Sequence, residues 1–349
     1  MNPALEVQTV SLSLGAFSLC DISFAVSPGE VFVILGPSGA GKSVLLEMIA
    51  GFHRPESGTI TMAGREVTTF PPEARGIGLI FQDYALFPHM TVRGNVLFAC
   101  RRDPGRAVSA LSRLGLADLA DRWPASLSGG EKQRVAVARA LAMDPRLFLF
   151  DEPLSAQDAR TRDLLRDELR GLLRQLGLPA VYVTHDQTEA LVLADRLAVM
   201  NAGRLVQTGT PSEVFNAPSN EFVARFVGVE TVLEGRIAAG SDGDVRVSLG
   251  THDIHAVGDG ASPRVLVCIR PENVVVARGM LADSSVRNQF PARVTSVSAQ
   301  GPLFKIALDC GFPLAAYVTR QSFLELKLEQ GSHVVAGFKA TAVHLINRE

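Results

Sequence analysis

The sequence predicts an α/β nucleotide-binding domain followed by a small all-β, barrel-like domain. Three observations carry this. Gly36-Pro37-Ser38-Gly39-Ala40-Gly41-Lys42-Ser43 matches G-x-x-x-x-G-K-[ST] between a short apolar run and a helical pattern. Two further apolar runs, at 147–150 and 180–184, end in polar residues suited to a ligand site. After Gly228 the texture changes to β-rich segments separated by close turns.

Val31 to Leu35 read as a buried strand feeding the loop, and Val44 to Ala50 as the helix behind it. Glycines let several backbone N–H groups converge, and the helix N-terminus adds its positive dipole end. Gly36 to Val44 are therefore the candidate phosphate binders, with Lys42 on the outer phosphates and the Ser43 hydroxyl on Mg²⁺.

The whole chain sets bounds. Its 349 residues allow two domains, and 47% apolar content is enough for full cores. Nothing in a net charge of −2 without long basic blocks suggests bulk nucleic-acid binding. The four cysteines form no C-x-x-C pair, so neither a zinc site nor a disulfide framework is expected, and a reducing cytosol fits best. No signal peptide is visible, and no uncharged apolar run approaches the roughly 20 residues that span a bilayer. A membrane role would go through a partner.

In chain order, residues 5–35 read as strands with turns, Thr59 to Met62 and Ile77 to Phe81 as strands, and Gln82 stands at the end of the latter. Residues 93–122 are rich in arginine and helix formers. Ser128 and Glu131 have capping-box spacing before a helix carrying Val135, Ala138, Leu141 and Ala142, which puts Ser128, Gly129 and Gly130 at a second anion-binding helix start. Leu147 to Phe150 suit a strand buried on both faces, ending in Asp151 and Glu152. One carboxylate can help hold Mg²⁺ while the other polarises water. Ala180 to Thr184 form another strand ending at His185, a candidate phosphate or water contact, and Asp186-x-x-Glu189 caps the next helix.

This ordered set resembles the ATPase subunit of ATP-binding-cassette transporters over about residues 1–228. Gln82 is similar to its Q-loop glutamine, Leu127 to Glu131 to its signature, Asp151 to the Mg²⁺-associated aspartate, Glu152 to the catalytic glutamate, Ser155 to Asp158 to the D-loop and His185 to the switch histidine. The resemblance implies a RecA-like core with a helical subdomain, and a head-to-tail homodimer with each ATP between the phosphate loop of one subunit and Ser128 of the other. Two anion-binding helix starts in one chain agree with that arrangement. The expected catalytic group is Glu152, His185 and Lys42, and the expected Mg²⁺ group is Ser43, Gln82 and Asp151. Glu131 and Gln157 depart from the commoner glutamine and leucine. Leu14 and Phe17 lie where an adenine-stacking aromatic is expected, and neither is assigned. Tyr84 to Met90 correspond to the region near the docking site of the permease's cytoplasmic helix, with plain core packing as the equal alternative.

The expected second domain is 229–349, with a duplication dividing it into 229–280 and 285–349. Leu233 to Ile237 parallel Phe290 to Val294, Val245 to Gly250 parallel Phe304 to Asp309, and Val265 to Val274 parallel Val334 to Val343. Ser285-Val286-Arg287-Asn288, with Arg293-Val294 and Lys339-Ala340-Thr341, resembles the molybdate-binding Mop/TOBE-type domain, although Ala292 replaces its glycine. Ser285, Arg287, Asn288 and Lys339 offer hydroxyl, amide and cationic donors for a tetrahedral oxyanion. The whole chain is thus similar to the ATPase subunit of molybdate/tungstate importers. That implies ATP and Mg²⁺ as cofactors and molybdate or tungstate as a regulatory ligand. It implies membrane permease subunits and an extracytoplasmic binding protein as partners, and the cytoplasmic face of the inner membrane as location. Importers of sulfate, ferric iron, polyamine or sugar remain the alternative, and a tail that only dimerises is another. A non-transport cassette ATPase acting on nucleic acid or ribosomes is disfavoured by one cassette with a β tail. His252 and His255 invite a metal reading, but a spacing of three in a strand puts them on opposite faces.

Overall fold

The computed structural model describes residues 2–241, 243–258 and 262–348. The chain divides into two compact units, Met1–Pro211 and Ser212–Glu349. The change of texture at residue 228 lies later than this division. The intervening helices belong with the second unit: Arg270 donates to the Phe215 carbonyl and the His344 ring meets the Pro218 carbonyl.

The first unit runs β1 (Leu5–Leu14), β2 (Phe17–Val26), β3 (Val31–Leu35), α1 (Lys42–Ala50), β4 (Ser57–Met62), β5 (Arg65–Glu66) and β6 (Ile77–Ile80). It continues with α2 (Val92–Ala99), α3 (Pro104–Arg113), α4 (Gly129–Leu141), β7 (Leu147–Asp151), α5 (Ala159–Leu176), β8 (Ala180–Thr184), α6 (Gln187–Leu193), β9 (Arg196–Asn201) and β10 (Arg204–Gly209). The central sheet has the order β10-β9-β3-β8-β7-β6, parallel except for the β9–β10 hairpin. Every residue of β3 and β8 is buried, so both faces are covered, which is why these segments read as unbroken apolar runs. A second sheet, β2-β1-β4-β5, is antiparallel. Its alternating Leu5, Val7, Val10 and Leu12 join the core around Phe32, Ile34, Leu45 and Ile49. Helices α2, α3 and α4 pack on one another as the helical subdomain. The arginine-rich stretch from 93 to 122 is thus two helices rather than one, broken at Cys100 to Asp103 before Pro104.

The second unit opens with α7 (Pro211–Asn216) and α8 (Glu221–Phe226). It continues with β11 (Thr231–Ser241), β12 (Asp244–Ser248), β13 (Asp253–Val257), β14 (Arg264–Ile269) and β15 (Val275–Ala277). The same order recurs in β16 (Asn288–Gln300), β17 (Leu303–Asp309), β18 (Pro313–Thr319), α9 (Arg320–Glu325), β19 (His333–Phe338) and β20 (Val343–Arg348). A 3₁₀ turn precedes the last strand of each set, at Pro271–Asn273 and Ala340–Ala342. The final strands are exchanged: β20 pairs with β14 and β15 with β19, giving the sheets β13-β12-β11-β14-β20 and β15-β19-β16-β17-β18. Both sheets supply one core, from Val247 and Val267 to Ile306 and Phe338. The turn read at 241–244 includes Asp242, which lies outside the described residues.

His252 precedes β13 rather than lying in it, and its ring packs edge-on against Phe290 and Phe312. It is a packed aromatic neighbour, and among the described residues no cluster of three or more His, Cys, Asp or Glu is placed to hold a metal ion.

Candidate functional site: a phosphate loop facing two carboxylates

Strand β3 delivers the chain into the loop, and two of its glycines are fixed by close approach. A Cβ on Gly36 would stand 2.3 Å from the Met200 carbonyl oxygen. Gly41 has φ 102°, and a Cβ there would meet the Phe17 ring at 2.3 Å. Gly41 is also the N-cap of α1, and no side chain caps that helix. The first-turn N–H groups, which no intrahelical carbonyl can satisfy, are therefore available to an anion.

Lys42 is the first residue of α1, and its side chain is only 4% exposed. Its Nζ donates to the carbonyls of Gly36 (2.9 Å) and Pro37 (3.1 Å) and lies 3.4 Å from Glu152 Oε1. The other Glu152 oxygen is 2.9 Å from His185 Nδ1. Glu152 sits one residue past β7 at φ 43°, a left-handed conformation that costs a non-glycine residue roughly 1–2 kcal/mol. Its N–H donates to Val183 (3.0 Å), and its carbonyl accepts from the Ser155 N–H and hydroxyl. The turn is over-determined, and it points the carboxylate back towards α1 instead of onward into solvent.

Beside it, the Ser43 hydroxyl donates to Asp151 Oδ1 at 2.9 Å. Burial raises the Asp151 pKa above the usual aspartate range; the Ser43 hydrogen bond opposes this, and the Glu152 and Glu47 charges add to it. A partly buried carboxylate so penalised, next to a hydroxyl, fits a hard cation with oxygen ligands.

The turn that carries His185 is anchored by a residue that sequence reading placed in a helix cap. Asp186 does cap α6, accepting from Thr188 and Glu189 N–H groups. Glu189 does not return the bond. Its carboxylate turns inward, 2% exposed, and accepts from the Tyr182 (2.8 Å) and Thr184 (2.7 Å) hydroxyls. Burial raises its pKa, opposed by those two hydrogen bonds. The Thr184 hydroxyl also receives the Asp186 N–H, so strand end, histidine turn and helix start are tied together. The buried polar pattern at Tyr182, Thr184 and Glu189 is the signal that could have revealed this.

An open cavity brings together Leu14, Phe17, Ser38, Gly39, Gly41, Lys42, Ser43, Val44, Gln82 and Glu152. Phe17, held against the loop at Gly41, and Leu14 therefore both border the site. Ser128, Gly129 and Gly130 are not among its walls. Ser128 caps α4 with the full capping box, accepting from Glu131 N–H (3.3 Å) while its own N–H donates to Glu131 Oε2 (2.7 Å). Gln157 lies between this helix start and the segment after Gln82. Its Oε1 would stand 2.8 Å from a Cβ on Gly129, and its Nε2 lies 3.5 Å from the Tyr84 hydroxyl. Tyr84 is buried, so core packing accounts for that residue. The rest of the segment is fastened to helices: Arg139 of α4 donates to the Tyr84 and Ala85 carbonyls, and Asn95 of α2 exchanges hydrogen bonds with Phe87.

In the second unit the expected oxyanion donors are dispersed. Asn288, 2% exposed, spends both amide atoms on the backbone of β13, accepting from His255 N–H (2.7 Å) and donating to His255 O (2.8 Å). Arg287 pairs with Asp244 at 2.7 Å. Ser285 is exposed, and Lys339 borders a separate cavity with Val286, Phe338 and Thr341. A comparable contact is made by Thr231, which opens β11 as Asn288 opens β16 and accepts from the Ala315 N–H of β18.

Residues 19–155 match the ABC transporter family, and residues 284–345 match the TOBE domain. The chain is 43% identical over 347 residues to the molybdate/tungstate import ATP-binding protein WtpC of Pyrococcus abyssi, covering 97% of this chain and 99% of that one. It is also 43% identical over 316 residues to the sulfate/thiosulfate import ATP-binding protein CysA 2 of Chromobacterium violaceum, covering 88% and 84%. Among solved structures it resembles cbiO1 of Clostridium perfringens, part of the ABC transporter complex cbiONQ. That match has a TM-score of 0.56 and 28% identity, and covers 66% of this chain and 96% of that one.

Proposed function

The chain belongs to the ABC transporter family as the ATP-binding subunit of an importer, and from that premise we propose that it drives uptake of molybdate or tungstate. Among the described residues no helix is long and apolar enough to cross a membrane, so the transmembrane path falls to permease partners. The substrate of the site is Mg²⁺-ATP, with phosphates on Gly36 to Val44 and Ser128 of a second copy closing the site.

The observation that carries the reading is the Glu152 carboxylate held between Lys42 and His185, beside the Ser43–Asp151 pair. Bound phosphate competes for Lys42 and His185 and so frees Glu152, which then orients water against the γ-phosphate. Lys42 and Ser128 stabilise the developing charge, and Ser43, Asp151 and Gln82 hold the cation directly or through water. Hydrolysis reopens the head-to-tail dimer, which works the permease from the cytoplasmic face of the inner membrane. An extracytoplasmic binding protein delivers the cargo.

The cargo reading is supported by the near full-length likeness to a molybdate/tungstate relative. The sulfate/thiosulfate relative, of equal identity over less of the chain, supports a second reading in which sulfate is carried. Regulation by cytoplasmic oxyanion would use Ser285, Arg287 and Lys339 between two tails, with Asn288 fixing the strand beneath them. The test is ATP hydrolysis by the reconstituted transporter with each loaded binding protein, with and without molybdate on the ATPase side. Stimulation by molybdate- or tungstate-loaded binding protein and inhibition by internal oxyanion are expected. Stimulation by sulfate alone would replace the cargo assignment, and equal rates with internal oxyanion would remove the feedback.

A further inference from the structure

The register of the first sheet of the second unit sets three arginines in one line. Arg236 of β11 is the direct cross-strand neighbour of Arg264 of β14, and Arg264 of Arg348 of β20. Ser248 of β12 is the neighbour of Arg236 on the other side. Directly paired residues project from the same face, so this is a Ser-Arg-Arg-Arg row across four strands. All four line one cavity, together with Glu234.

Like charges directly opposite one another on a sheet repel. Here only Arg348 is compensated, through Glu234 and, at 3.6 Å, Glu221. That pairing draws the Arg348 guanidinium across β14 towards β11. Arg236 and Arg264 have no side-chain hydrogen bond or ion pair among the described residues, although both are exposed and long enough to seek one. Adjacent strands lie about 4.8 Å apart, so the three arginines span roughly 10 Å, within the reach of three guanidinium groups converging on one small ion. Arginine forks match the oxygen pairs of tetrahedral anions, and the Ser248 hydroxyl, which donates to the Gly250 carbonyl at a long 3.4 Å, can turn to add a neutral donor.

We propose that the Ser248–Arg236–Arg264–Arg348 row is a binding site for a doubly charged tetrahedral oxyanion, separate from the expected donors Ser285, Arg287 and Lys339. The anion relieves the repulsion along the row and ties β12, β11, β14 and β20 together. Because β20 closes the first sheet from the far end of the sequence, occupancy stabilises the strand exchange itself. The site stands whatever the transporter's cargo is.

The test uses the full chain with Mg²⁺-ADP in excess, so that the phosphate loop is filled. Inorganic phosphate, sulfate and molybdate are each titrated by calorimetry against chloride of equal ionic strength, and melting is followed in parallel. At least one of the three should bind saturably and raise Tm. Affinity should fall at least tenfold in the R236Q/R264Q double variant and stay unchanged in R320Q, which alters an exposed arginine of α9 outside both candidate anion sites. In chloride alone the double variant should melt no lower than the parent, since it removes like-charged neighbours. The anion that binds most tightly identifies the physiological class. The site is refuted by absence of saturable binding for all three anions, by equal affinity in the double variant, by an equal loss of affinity in R320Q, or by a double variant that melts well below the parent in chloride.

Discussion

Glu152 Oε2 lies 2.9 Å from His185 Nδ1 while its partner oxygen faces the Lys42 ammonium at 3.4 Å. The carboxylate expected to direct water is thus bridged between the Lys42 ammonium and the His185 ring, the two groups expected to meet phosphate. In the proposed reading nucleotide divides this trio before chemistry begins, which couples binding to activation.

Asp151 should limit stability in the absence of nucleotide and metal. Its folded pKa is raised, chiefly by burial, so the unfolded chain ionises it more readily than the folded one. The contribution favouring the fold is full below the ordinary aspartate pKa and is lost as pH rises through the raised value. At neutral pH without Mg²⁺, D151N should therefore melt above the parent. That advantage should shrink as pH falls into the acid range where Asp151 is protonated in both states. Melting curves from pH 4 to 7.5 check this; an advantage that is constant with pH contradicts it.

Gln157 should couple to Tyr84. Replacing it by leucine leaves the buried Tyr84 hydroxyl without its partner, a loss of about 1 kcal/mol for a neutral hydrogen bond. Y84F should cost less in the Q157L background than in the parent. A double-mutant cycle by urea unfolding measures the coupling, and strictly additive effects would show that the 3.5 Å contact carries no energy.

Asn288 should behave as a structural clamp. N288A strands the His255 N–H and carbonyl in a part-buried setting, costing roughly 1–3 kcal/mol. The second unit should lose stability in N288A whether or not oxyanion is present. Normal stability with selective loss of oxyanion response would restore Asn288 to the ligand set.

The candidate nucleotide site was legible in the sequence because its residues are local. Glycines, Lys42 and Ser43 are contiguous, and Asp151, Glu152 and His185 stand where buried apolar runs end, so a parallel sheet delivers them to one edge. What stayed hidden is set by tertiary approach. Nothing near Gly41 in sequence announces Phe17, and the Glu189 spacing fits a capping box as well as the inward turn that it takes. In the tail, Asn288 has the residue type for an anion ligand, yet the β13 backbone claims its amide. The arginine row exists only in the register of strands distant in the chain.

The most direct measurement is nucleotide binding and turnover by E152Q. This change removes the charge that holds Lys42 and His185 while keeping the shape. The account predicts Mg²⁺-ATP affinity equal to or tighter than the parent's, and ATPase turnover reduced by about 10²–10⁴-fold, the range for loss of a positioned general base. Parental turnover, or affinity weakened in step with turnover, would contradict it.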